Sequence, residues 1–157
     1  MLLPFFQWCE SLWIGQFVVG SNWLFPVIES VHLLALAMLG GSIFLVDLRL
    51  LGLGLKDRAV AELAHDARPW MIAGLCAMVL TGLPLFLSEP IKCYYSTAFW
   101  TKMTTLPIAL TFAFTVRSRV ALADPVRGTA RRQQLVGALS IALWVTVAVA
   151  GRWIGFS

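Results

Sequence analysis

Apolar residues run almost unbroken through four stretches, about 23–50, 70–88, 98–116 and 134–154, and the charged side chains fall mostly between them. A helix needs roughly 20 mainly apolar residues, at ~1.5 Å each, to cross ~30 Å of hydrocarbon. All four stretches qualify. The pattern predicts an all-α integral membrane four-helix bundle, with residues 1–157 as a single membrane domain. Residues 5–19 are too short, and too interrupted by Glu10 and Gln16, for a fifth span. They predict a short N-terminal interfacial helix. The start has no Lys or Arg and no small-residue cleavage site, so it is expected to be retained rather than cleaved as a signal.

Punctuation residues refine these elements. Pro26 suits the first turn of span one, and Gly52 and Gly54 weaken its far end. The connection 56–70 predicts a short amphipathic helix, with Val60, Leu63 and Ala64 against Asp57, Arg58 and Glu62, before Pro69 and Trp70 open span two. Gly82 and Pro84 allow a bend near the end of that span, Ser96 or Thr97 can cap span three, and Pro107 can kink it.

Composition supports the membrane reading: 59% of residues are hydrophobic and 13% charged, with a mean hydropathy of +0.82. Charge sets the expected sidedness. Arg49, Lys56, Arg58, Arg68, Arg117, Arg119, Arg127, Arg131 and Arg132 belong to the first and third connections and adjoining helix ends; Lys92, Lys102 and Arg152 lie on the other side. Cation-rich short loops stay cytoplasmic, so both termini are expected on the periplasmic side of a bacterial inner membrane. The net charge of +4 is accounted for by this sidedness and by anionic lipid, and gives no reason to expect nucleic acid.

The informative polar residues are those that fall inside the spans. Counting from Pro26, Glu29 lies ~5 Å and His32 ~9 Å deep, three apart and on one helix face. Lys102 and Arg152 fall in the same layer. Lysine and arginine reach headgroups along their stems, but imidazole cannot, and an unpaired polar group at that depth costs ~2.5–3.5 kcal/mol. Three readings follow. Glu29 pairs with Lys102 or Arg152 and His32 bonds across helices, as a structural lock; or His32 ligates a metal or haem iron, with Lys102 and Arg152 facing haem propionates; or Glu29 and His32 are the proton-coupled groups of a small carrier.

For haem b, the second histidine is decisive. His65 sits at the opposite surface, as a solvated loop residue, and cannot share an iron with His32. The iron would be five-coordinate, take Met103 from the same layer, or bridge two His32 residues of a dimer, and the bundle itself is expected to be a homo-oligomer. A quinone or a periplasmic redox partner would then be the electron exchange partner. Trp8, Trp13, Trp23, Trp100 and Trp153 all map to the His32 side, more than an interfacial belt requires, so some are expected to line a pocket. Cys9 and Cys93 share that side, where a disulfide is one of two open outcomes, and Cys76 is expected to be buried mid-span. Asp47 and Arg49 are each expected to pair with a neighbouring helix. Met71, Met78 and the span glycines read as packing. There is no Cys-x-x-Cys, phosphate loop or Ser-His-Asp set.

The stretches FPVIESVHLLALAMLGGSIFLVDLRLLGLGL, AFWTKM and AGRWIGF resemble a bacterial family of four-span membrane proteins known only as a domain of unknown function. That resemblance covers nearly the whole chain. It implies the four-helix architecture and matches Glu29, His32, Asp47, Arg49, Lys102 and Arg152, but implies no activity. More loosely, HLLALAMLGG is similar to the first-helix histidine segment of small membrane haem b proteins and CopD-type proteins. The combined expectation is a site centred on His32 that binds b-type haem in a redox or haem-handling role.

Overall fold

The computed structural model describes residues 2–55, 57–123 and 129–156. Every regular element among them is helical. In chain order these are α1 (Leu3–Glu10), α2 (Trp13–Val19), α3 (Leu24–Leu50), α4 (Val60–Ser88), α5 (Pro90–Tyr95), α6 (Thr97–Phe112), a π-helical turn (Ala113–Arg117), α7 (Ser118–Leu122), α8 (Thr129–Trp153) and a closing 3₁₀ turn (Ile154–Phe156).

Four rods are long and apolar enough to span a membrane: Leu24–Leu50, Val60–Ser88, Thr97–Leu122 and Ala130–Phe156. At 26 to 29 residues each, they measure about 40 Å. They alternate in direction, with α3 packed between α4 and α8, and α6 on the far side of α8. Both termini therefore lie at one end of the bundle. Its outer surface is strongly apolar, with Leu34, Leu80 and Leu135 at 70%, 75% and 71% exposed. A soluble monomer does not leave such a surface in water, whereas lipid tails cover it at no cost.

Packing between the rods falls into three tiers. Val46, Leu50, Leu63, Ala67, Val120, Ala121 and Val136 fill the end opposite the termini. Leu39, Ile43, Ala109, Ala113, Trp144 and Val147 fill the middle, with Met71 and Met78 packed against them as expected. Phe6, Cys93 and Phe99 anchor the terminus end, together with Phe86, Tyr94 and Trp100. Glycine permits two of the close approaches. A Cβ on Gly74 would stand 2.9 Å from the Leu39 nitrogen, and one on Gly137 would stand 2.9 Å from the Asp47 carbonyl oxygen. Close backbone contact is what holds helices together where lipid removes the hydrophobic drive. Gly40 and Gly41, in contrast, face open space.

Several expectations need correction. The amphipathic helix and span two form one rod: α4 runs through Pro69, because Leu63 and Ala67 are buried against α3 and α7 and hold the first turns in line. His65 is accordingly a helix residue with an 86% exposed side chain rather than a loop residue. The N-terminal segment is two helices, not one, and it docks on the bundle. Gly15 lies so close to α4 that a Cβ would fall 2.0 Å from the Leu87 carbonyl oxygen. Cys76 faces outward instead of inward. Ser96 does cap α6, accepting from the Phe99 N–H at 3.4 Å. The π-helical turn six residues beyond Pro107 had no counterpart in the sequence pattern. Lys56 and Arg127 lie outside the described residues.

Candidate functional site

At the terminus end, two polar pairs link α3 to its neighbours. Glu29 Oε1 lies 3.7 Å from Arg152 Nη1 of α8, with the two side chains 42% and 56% exposed. Arg152 also rests over the Phe156 ring, 4.8 Å from its centroid. One turn deeper, His32 Nδ1 is 2.7 Å from Thr81 Oγ1 of α4. The hydroxyl of Thr81 donates to the Ala77 carbonyl at 2.6 Å. Its one hydrogen is thereby used, so Nδ1–H of His32 must be the donor and Nε2 keeps its lone pair. Gly82 makes room for the ring, since a Cβ there would stand 3.2 Å from His32 Cε1.

Lys102 enters from α6. Its stem lies along Gly151, where a Cβ would stand 3.3 Å from Nζ, and its charge acts on both His32 and Cys93. Among the described residues, no carboxylate lies within salt-bridge distance of it. Of the two pairings expected for Glu29, the Arg152 pairing forms, and the Lys102 pairing does not.

Met103 shares the depth of this layer but not its face. It is 39% exposed and follows Lys102 by one residue, which turns it about 100° around the helix. His65 lies at the other end on α4. The surplus tryptophans do not build a pocket around His32 either: Trp8, Trp13, Trp23 and Trp153 are 58%, 70%, 80% and 63% exposed. Trp100 alone is drawn in, donating from Nε1 to the Tyr94 carbonyl at 2.9 Å. It closes an aromatic cluster in which the Phe86 and Phe99 rings stack at 5.6 Å and Phe6 meets Tyr94 at 5.2 Å. A groove of about 420 Å³ runs along the outside of α6 and α8, lined by Ala98, Thr101, Val149 and Trp153 among others. His32 is not among its lining residues.

Cys9 and Cys93 are buried free thiols, not a disulfide. Cys93 is enclosed by the aromatic cluster, and burial pushes its thiol up to about 11, with Glu89 adding to the rise and Lys102 and Lys92 opposing it. Burial raises Cys9 as well.

At the opposite end, Asp47 and Arg117 form a second polar centre. Arg117 Nε donates to Asp47 Oδ1 at 2.5 Å, and Nη2 to the Ile43 carbonyl at 3.1 Å. Asp47 is 0% and Arg117 5% exposed. The expected cross-helix partner for Asp47 is thus present. Arg49 instead donates to the Arg58 carbonyl at 2.9 Å, because Gly52 and Gly54, at φ +77° and +73°, fold the connection back beneath it. Arg58 itself bridges Glu62 and Asp66 on the first turns of α4. Thr81 and Arg117 were the partners missed from sequence. Depth would have pointed to Thr81, seven residues from its end of α4 as His32 is eight from its end of α3.

Four antiparallel spanning rods with a polar layer at the terminus end define a multi-pass helical membrane protein. The chain belongs to the family of unknown function DUF6644, whose sequence profile matches residues 5–157. No curated protein and no solved structure matches it.

Proposed function

We propose that the terminus-end layer binds a small ligand carrying an anionic or carbonyl oxygen, and that this ligand is b-type haem held through His32. The observation that carries the reading is the pair formed by Lys102 and His32: among the described residues the ammonium has no carboxylate partner, and the imidazole that feels its charge has none at Nε2. Histidine ligands characteristically have the other ring nitrogen fixed by a hydrogen bond, as Thr81 fixes Nδ1 here. The donor set suits haem: His32 would hold the iron and Lys102 would neutralise the carboxylates of the ring. Arg152 is committed to Glu29, so it contributes less than the sequence implied. Bound haem would supply one-electron chemistry; the chain's part is to orient His32 through Thr81 and neutralise the acid side of the ring through Lys102. Met103 is not part of this proposal, and a sixth ligand would come from a second copy of the chain.

The same arrangement supports a second reading. The Glu29–Arg152 and His32–Thr81 contacts tie α3 to α8 and to α4, which serves as an interhelical lock whether or not a ligand enters. Sidedness follows the cation count: the arginine-rich end is cytoplasmic and the termini are periplasmic in a bacterial inner membrane.

The test is to purify the protein from membranes and record its absorption spectrum, with organic extraction of the same sample for haem and quinone. Ligand binding predicts a Soret band that His32→Ala abolishes and Lys102→Met weakens. A colourless preparation whose extract holds neither haem nor quinone overturns it and leaves the lock. Quinone without haem reassigns the ligand while keeping the site.

A further inference from the structure

The seam between α3, the π-helical turn and α8 holds a separate polar site. Among the described residues, Asp47 Oδ2, Ser140 Oγ and Trp144 Nε1 reach no hydrogen-bond partner. Their residues are 0%, 0% and 5% exposed, so neither bulk water nor headgroups serve them. Buried polar atoms left unserved are costly and rare.

The fold brings the three together. Gly137 lets α8 approach α3 at the Asp47 carbonyl, which sets the Ser140 hydroxyl, three residues on, beside the Asp47 carboxylate. Trp144 lies one turn further along the same face and packs with Ile43. The Ile43 carbonyl and Asp47 Oδ1 are the two acceptors of Arg117. The three unserved atoms thus follow one line of contact beside the ion pair.

Their chemistry selects the occupant. Arg117 already balances the Asp47 charge, so a cation would meet a neutral pair and an anion would meet a carboxylate. The atoms are an acceptor, a hydroxyl and an N–H donor, which calls for a small neutral molecule that both donates and accepts. Buried waters characteristically make two to four such bonds. Asp47 is three residues from the end of α3, ~5 Å from that surface, so the route in is short.

We propose that this seam binds one buried water, which accepts from Trp144 Nε1–H, donates to Asp47 Oδ2 and takes Ser140 as its third partner. The test compares thermal unfolding of the full chain in lipid nanodiscs for wild type, Trp144→Phe, Ser140→Ala and the double variant. A bridging water predicts a fall of about 2–4 °C for each single variant. The double variant falls by less than the sum, because both changes release the same molecule. If Trp144→Phe melts at or above wild type, the proposal fails. Additive losses overturn it too, and a melting point that follows sodium or potassium concentration reassigns the seam to a cation. Should a variant not fold, a density map fine enough to show ordered water decides: a peak bonded to the three atoms is expected, and an empty seam is contrary.

Discussion

Arg117→Met is the most informative single perturbation of the bundle. Arg117 is 5% exposed and Asp47 0%, and the guanidinium holds both Asp47 Oδ1 and the Ile43 carbonyl. Methionine keeps most of the stem and removes the charge, so the cost comes from what is left behind: a fully buried carboxylate with no counter-ion. Breaking one side of a buried pair costs about 3–5 kcal/mol. At ~2–4 °C per kcal/mol for a chain of this size, melting in nanodiscs should fall on the order of 10 °C. Combining it with Asp47→Leu removes both charges together, and most of the loss should return, since replacing a buried pair by apolar groups is often neutral. Circular dichroism at the helix band follows the transition for all four proteins. If Arg117→Met melts with the wild type, or the double variant falls by the sum of the singles, the pair does not hold α3 to the π-helical turn and the reasoning is refuted.

Other outcomes follow from the same structure. Gly15→Ala places a methyl where the Leu87 carbonyl already stands, so α2 should lift from the bundle, seen as faster proteolysis between α2 and α3. Glu29→Gln removes an ion pair whose members are 42% and 56% exposed; its effect on melting should be small, within about 1 kcal/mol. The Cys93 thiol keeps its proton up to about 11 against an ordinary 9.0. Between those values the folded chain binds more protons than the unfolded one, so stability should decline as pH rises above about 9. Cys93→Ala should flatten that decline in a pH series of melts.

How much of this was legible beforehand differs by layer. The four spans were readable because twenty-residue apolar runs have few alternatives, and the depth of Glu29, His32, Lys102 and Arg152 followed from counting along them. Helix rotation was not readable in segments that are apolar on every side. Cys76 was therefore placed inside although it faces out, and Met103 was placed in the layer although it turns away. Proline misled at position 69, where burial of Leu63 and Ala67 keeps the helix going. Arg117 looked like a loop cation because its position beside Asp47 depends on the π-helical turn, a feature of packing that no local residue pattern marks. Thr81 was legible in principle, since a hydroxyl at matched depth on the neighbouring helix was the available partner for His32.

The most direct test of the His32 site is ¹⁵N NMR of the protein labelled at histidine. The chain has two histidines, and His65→Gln assigns the remaining signals. The account predicts that His32 carries its proton on Nδ1, with Nε2 unprotonated, and that adding haem removes or strongly shifts the Nε2 signal while Thr81→Val scrambles the tautomer. A proton found on Nε2, or an Nε2 resonance indifferent to haem, would contradict it.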